Sequence, residues 1–114
     1  MIGVPKWKDE FDNEISQGIL ARDKGNEGKA RVCARRAAGI LINEYFYSHG
    51  FENQSTSAYD LLSRFTSLPE VDDQVKTICN HFLLRVDDNH NLPAGVDLLF
   101  EAQWLAHHYF PESI

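Results

Sequence analysis

The sequence predicts an all-α domain, an antiparallel up-and-down bundle of about five helices, and three observations carry that expectation. Apolar residues recur at three- and four-residue spacing in five separate stretches. Glycines, prolines and short polar clusters fall between those stretches, where turns are needed. No stretch shows the strict apolar–polar alternation of a half-buried strand.

The first helix is expected from about Pro5 to Lys24. Trp7, Phe11 and Ile15 repeat every fourth residue and make one face. Gly18 lies on that face and leaves room for a neighbouring helix. The segment 24–28, KGNEG, then breaks the pattern. The second helix runs from about Glu27 to His49 and meets Gly50, a residue suited to a left-handed stop. Its main face is Ala30, Cys33, Ala34, Ala37, Ala38, Leu41 and Tyr45. The small residues in its first half predict close helix–helix contact. In its second half Ile40, Leu41, Ile42 and Phe46 point to nearly all sides, as in a helix buried all round.

Ser57, with Asp60 three positions on, marks the start of a third helix carrying Ala58, Leu61, Leu62 and Phe65. Pro69 suits the first turn of a fourth, with Glu70, Asp72 and Asp73 favoured there by the helix dipole. Its apolar side is Val71, Val75, Ile78 and Phe82. After the polar interruption 85–95, RVDDNHNLPAG, a last helix is expected from near Pro93 to about Tyr109, with Pro111 stopping it. Val96, Leu99, Phe100, Gln103, Trp104 and Phe110 share one face of it. Leu98, Ala102, Leu105 and Tyr109 form a second stripe, roughly opposite at about 100° per residue.

A chain of 114 residues with 43% apolar content builds one domain, residues 1–114, around one core. A net charge of −6 argues against a general nucleic-acid coat. Cys33 and Cys79 make neither a metal spacing nor a disulfide framework, so buried, reduced thiols are expected. No apolar run reaches the ~18 residues of a membrane span, and no signal peptide is evident, so a cytoplasmic location is expected. The second and last helices carry apolar residues on two sides, which is hard to satisfy within a five-helix monomer. A two-fold homodimer is the expected remedy. The alternative puts the last helix at the centre of the bundle, enclosed by the others.

Candidate chemistry falls in three places. Arg22, Lys24, Lys29, Arg31, Arg35 and Arg36 lie within fifteen positions holding only Asp23 and Glu27 as acids. That segment is +4 and the remainder −10 (six bases against two acids, then five against fifteen). Such a patch suits a phosphate or an RNA backbone. Helical geometry puts Arg31 and Arg35 on one flank of the second helix and Lys29 and Arg36 on the other, where their stems would also cover apolar surface. The second place is Arg85 with the loop through His90. Arg85 could hold a phosphate while His90 acts as general acid or base in cleavage of RNA by its own 2′-hydroxyl. Alternatively, Arg85 braces the loop through Asp87 or Asp88. The third is the histidines of the last helix. His107 is expected in the middle of the apolar face, and His108 on the polar strip beside Glu101. Neither that pair nor Cys79 with His81 points one way, so no metal or cofactor is expected, and no phosphate loop or nucleophile elbow is present.

The order of these features resembles a HEPN domain (higher eukaryotes and prokaryotes nucleotide-binding) over about residues 9–110. The resemblance lies in the helix ending at KGNEG, the alanine-rich helix KARVCARRAAGILINEYFYSHG, the segment RVDD, and the last helix DLLFEAQWLAHHYF. It implies an antiparallel bundle that commonly dimerises. Active members are metal-independent ribonucleases with an arginine, four to six residues, then a histidine, a spacing met by Arg85 and His90. Other members bind nucleotides or partner small nucleotidyltransferases. Val86 after the arginine, the acids Asp87 and Asp88, and Pro93 soon after favour that second branch. The expected function is a non-catalytic dimeric module binding a partner protein or a nucleotide phosphate through Arg85, Arg31, Arg35, Lys29 and Arg36. A ribonuclease and a purely structural interaction protein are the alternatives.

Overall fold

The turn at residues 24–26 ends one helix and starts the next. The computed structural model describes residues 5–51, 57–84 and 95–113. In it α1 spans Lys6–Asp23 and α2 spans Glu27–Ser48. Gly25 adopts φ 80°, a left-handed conformation that costs glycine little. Its N–H donates to the Arg22 carbonyl at 2.9 Å, and that of Asn26 to Ala21 at 2.8 Å, closing the last turn of α1. The Asn26 side chain then accepts the Lys29 N–H at 3.0 Å and caps α2. The far end of α2 closes likewise on Gly50, at φ 77°. There the Phe51 N–H reaches the Phe46 carbonyl at 3.0 Å, and the two rings meet edge to face at 5.1 Å.

Three further helices follow: α3 at Ala58–Thr66, α4 at Asp73–Leu83 and α5 at Leu98–Tyr109, with a short 3-10 turn at Pro111–Ser113. No strand occurs among the described residues, which form an all-α globule of five helices. Each late helix has a side-chain cap, Ser57 for α3, Asp72 for α4 and Asp97 for α5. These caps correct two expected boundaries. Pro69 lies in the turn ahead of α4 rather than in its first turn, because Asp72 accepts the Val75 N–H at 2.9 Å and starts the helix there. Similarly, α5 starts at Leu98, well after Pro93, where Asp97 accepts the Phe100 N–H at 3.2 Å.

Helix α2 is the centre of the fold, packed against α1, α3 and α5. Ala30, Ala34, Ala37 and Ala38 are wholly buried on it. Alanine keeps the α2 backbone close to its neighbours and loses no side-chain rotamer freedom on burial. Phe11, Ile15 and Gly18 are buried on α1, as the four-residue repeat predicts, joined by Ala21, while Trp7 at the start of the repeat is half-buried. At the other end of α2, Tyr45, Phe65 and Tyr109 meet with ring centroids 5.0–5.5 Å apart, tying α2, α3 and α5 together edge to face. Val75, Cys79 and Phe82 of α4 complete the same core, and Trp7 of α1 meets Phe110 after α5 at 4.8 Å.

Burial corrects the expectation for two helices. Leu41, Ile42 and Phe46 are buried, but α2 is not enclosed all round, since Val32 and Tyr47 stay exposed. In α5 the buried residues are Leu98, Leu99, Ala102, Leu105 and Ala106, while Phe100 remains 63% exposed. Helix α5 therefore covers one side of α2 and is not the central helix of the alternative arrangement.

Two glycines set interhelical distances, with different tolerance. A Cβ on Gly18 would come within 2.6 Å of the Leu99 Cδ2 methyl, the far end of a flexible side chain, and 3.2 Å of the Cys33 Cβ. A Cβ on Gly39 would come within 2.7 Å of the Ala58 Cβ and 3.0 Å of its Cα, which only a backbone shift of α3 relieves. Gly39→Ala is expected to destabilise by about 1–2 kcal/mol, overpacking outweighing the helix-propensity gain of alanine. Gly18→Ala is expected to lie within about 1 kcal/mol of the parent, as the Leu99 side chain turns aside. Urea unfolding of both variants measures the contrast; equal costs would show that the α2–α3 contact yields.

Candidate functional site

The basic residues of α2 do not act as one patch. Arg35 is half-buried, and its Nε donates at 2.8 Å to the Phe82 carbonyl in the last turn of α4. A cation suits that carbonyl end of a helix. Burial holds the Arg35 guanidinium below its ordinary pKa, a direction that leaves so strong a base charged at neutral pH. Arg36, the next residue, is exposed. Expected on opposite flanks, Arg35 and Arg36 both reach one groove between α1, α2 and α3, because that groove spans the arc separating them. Lys29 lies elsewhere, beside a small hollow of about 220 Å³ at the α1–α2 turn. Arg31 is half-buried and lines neither. Arg85 and His90 lie outside the described residues.

The groove has a volume of about 730 Å³. Its lining combines apolar and small residues, Val32, Gly39, Ile40, Ala58 and Leu61, with the exposed ring of Tyr59. Glu10 and Glu14 of α1 bring carboxylates to the same space that holds Arg35 and Arg36. Burial pushes the Cys33 thiol up, and the neighbouring Glu14 carboxylate adds to the shift. Sequence reasoning singled out the arginines and missed the two glutamates. Glu10 and Glu14 are four apart on α1, a signal of a shared acidic edge, but nothing in the sequence aligns that edge with α2.

Elsewhere, charged groups join helices. Arg22 at the end of α1 contacts Glu27 at 2.6 Å and both oxygens of Asp97 at 3.2 Å. It therefore links the α1–α2 turn to the cap of α5. Burial works to raise the Asp97 carboxyl, yet hydrogen bonds from Arg22 and the Phe100 N–H hold it below the ordinary value. Glu101 takes His81 as its partner, the imidazole Nδ1 lying 2.8 Å from Oε1 and joining α4 to α5. His108 instead stacks flat on Trp104 at 4.9 Å, one helical turn back. His107 is exposed rather than set in an apolar face, because the buried stripe of α5 follows Ala102, Leu105 and Ala106.

Cys33 and Cys79 are free and buried. Burial first, then the Glu101 carboxylate, pushes the Cys79 thiol up to about 12, so it stays protonated at neutral pH and is a poor nucleophile. Among the described residues no group of three His, Cys, Asp or Glu side chains is placed to hold a metal ion. Likewise, no helix among them is long and apolar enough to cross a membrane.

Comparison of the chain with protein-family models, with curated proteins and with solved structures finds no match. The site is therefore read from its own geometry.

Two outcomes are expected. Arg35→Met keeps the apolar stem but removes the bond to the Phe82 carbonyl, and should cost about 1–2 kcal/mol in urea unfolding. Asp97→Asn preserves a helix cap but removes the ion pair with Arg22, and should cost up to about 1 kcal/mol at neutral pH, since the pair is partly exposed. A carboxylate held below its ordinary pKa stabilises the fold above the unfolded-state value, near pH 4. That contribution disappears as pH falls through the lower folded-state value. The Tm gap between parent and Asp97→Asn should hence be widest at neutral pH and close below about pH 4. A gap that widens in acid would refute the assignment.

Proposed function

We propose that this chain is a non-catalytic helical docking module of HEPN-like type, which seats a partner protein in the groove between α1, α2 and α3. The observation that carries the reading is the groove itself, about 730 Å³ in volume, with apolar and small residues beside carboxylates and guanidinium groups. Protein interfaces combine an apolar centre with a polar rim in this way, and helix-in-groove recognition uses such surfaces.

A nucleotide phosphate is the other ligand class that the arginines suggest. Glu10 and Glu14 weigh against it, because carboxylates in the same groove repel a phosphate dianion. Arg35 also has its Nε engaged by the Phe82 carbonyl. Of the five basic residues expected to share a ligand, the four on α2 are divided between the groove, the turn hollow and a third position, which further weakens an extended phosphate or RNA contact. The ribonuclease alternative depends on Arg85 and His90. Asp87 and Asp88 lie between them in the sequence and add negative charge that repels an RNA phosphate, which supports the non-catalytic reading. A nucleotidyltransferase-like protein is the heterologous partner that the HEPN resemblance implies.

A photo-crosslinking side chain at position 59, in the groove, is expected to form a discrete protein adduct in cells; the same group at exposed position 112 is expected to form none. The purified protein is expected to leave structured RNA intact in chelator and to show no Tm rise with ATP. RNA cleavage abolished by His90→Ala would establish the ribonuclease instead. A Tm rise with ATP that is lost in Arg36→Gln would make the groove a nucleotide site.

A further inference from the structure

We propose that the groove takes an amphipathic helix of a different protein, one that sets two basic residues four positions apart against Glu10 and Glu14 and an acidic residue against Arg36. The inference rests on the groove being a protein-docking surface.

The walls select the conformation of the occupant. Residues of α1, α2 and α3 line the groove, and no strand occurs among the described residues. Helical walls use their backbone hydrogen bonds internally, so they offer no free ladder to an extended segment. An extended chain lying there would leave its own N–H and C=O groups short of partners, at a cost for each group that loses water. A helix arrives with those groups already paired and presents only side chains. The floor suits a row of apolar ones. Val32, Arg36 and Ile40 follow at four-residue steps along α2, while Gly39 and Ala58 add little bulk beside them. Val32 is 42% exposed, and Tyr59 of α3, on the groove, is 57% exposed.

Charge order narrows the chemistry. Glu10 and Glu14 lie one turn apart on α1, so their Cβ atoms stand about 6 Å apart along one edge of the groove. A helix running beside α1 meets that spacing with lysine or arginine at i and i+4. Arg36 of α2 lines the same groove. Both Glu10 and Arg36 are exposed, and among the described residues neither forms a salt bridge within the chain. A helix with one sign of charge on both edges would satisfy one of these residues and be repelled by the other. The occupant's acidic residue therefore belongs across its apolar face from the basic pair.

The same requirement separates a foreign helix from a second copy of this chain. Arg31 and Arg35 are the only two Lys or Arg residues four positions apart in the sequence. Arg35 is half-buried and its Nε donates to the Phe82 carbonyl, so that pair is not free to meet Glu10 and Glu14 of another copy. A net charge of −6 also opposes self-association and favours a partner that brings basic residues.

A phage-displayed library of single helices with randomised surface positions, panned against the parent chain, tests the proposal. The binders recovered are expected to share apolar residues at helical spacing, Lys or Arg at i and i+4 on one edge, and Asp or Glu on the other. Glu10→Arg and Arg36→Glu, each on an exposed position, should keep the parent Tm and weaken those binders about tenfold or more in fluorescence anisotropy, since each sets like charges opposite one another. Arg35 is left unaltered, as it holds α4. In cells, the partner segment crosslinked from position 59, mapped by mass spectrometry, is expected to carry the same charge order. Binders without that order, binding that neither variant weakens, or a library that yields no binder overturns the foreign helix as occupant. So does an adduct of the chain with itself, which makes a second copy the occupant. In each of these cases an adduct at position 59 still upholds the docking reading, and the absence of any adduct removes both.

Discussion

The close packing of α2 against its neighbours is the constraint on which the rest of the fold depends. Four wholly buried alanines along α2 let the backbones of adjacent helices come near. Near one end of α1, Gly18 opposite Cys33 and Ala30 does the same from the other side. Small side chains contribute little apolar area each, so the stability of this region comes from dense contact along a long shared face rather than from large anchors. The large anchors sit at the opposite end of α2, where Tyr45, Phe65 and Tyr109 interlock. The helix thus has a thin half that lets neighbours in and a bulky half that fixes them.

This arrangement also makes the groove. Helices α1, α3 and α5 pack against α2, and among the described residues the stripe from Val32 to Asn43 is left between α1 and α3. Gly39 lets α3 press against α2 there, with Ala58 against the glycine, which forms one edge of the depression. The glutamates on α1 and the arginines on α2 come together because α1 and α2 run back along one another from the turn at Gly25. The contact of Arg22 with Glu27 spans that turn. The groove is consequently a product of the same packing that builds the core.

The charged residues divide into those that join helices and those left to the surface. Arg22, Asp97, Arg35, His81 and Glu101 all have partners across helices. They lie at helix ends or across partly shielded contacts, where geometry and the helix dipole help. Arg36 and Glu10 have no salt bridge among the described residues, and both face the groove. The basic cluster that stands out along the chain is hence partly structural, and of its members Arg35 and Arg36 line the groove.

Much of the fold was legible in the residue order. The four-residue repeat of α1, the alanine face of α2 and the glycines at 25 and 50 are local signals, because helix periodicity and left-handed stops depend on near neighbours alone. The starts of α4 and α5 were less legible, since Pro69 and Pro93 compete as signals with the capping carboxylates of Asp72 and Asp97. What the sequence by itself determined was an all-α chain with the correct first two helices, the buried faces of α1, α3 and α4, and two helices with more apolar surface than a small bundle can enclose. Which of those surfaces stays exposed, and that Glu10 faces the same space as Arg36 from 26 positions away, were decided only by tertiary structure. Periodicity places a residue on a face of its own helix, but the neighbour that covers that face is chosen by packing between helices distant in the chain.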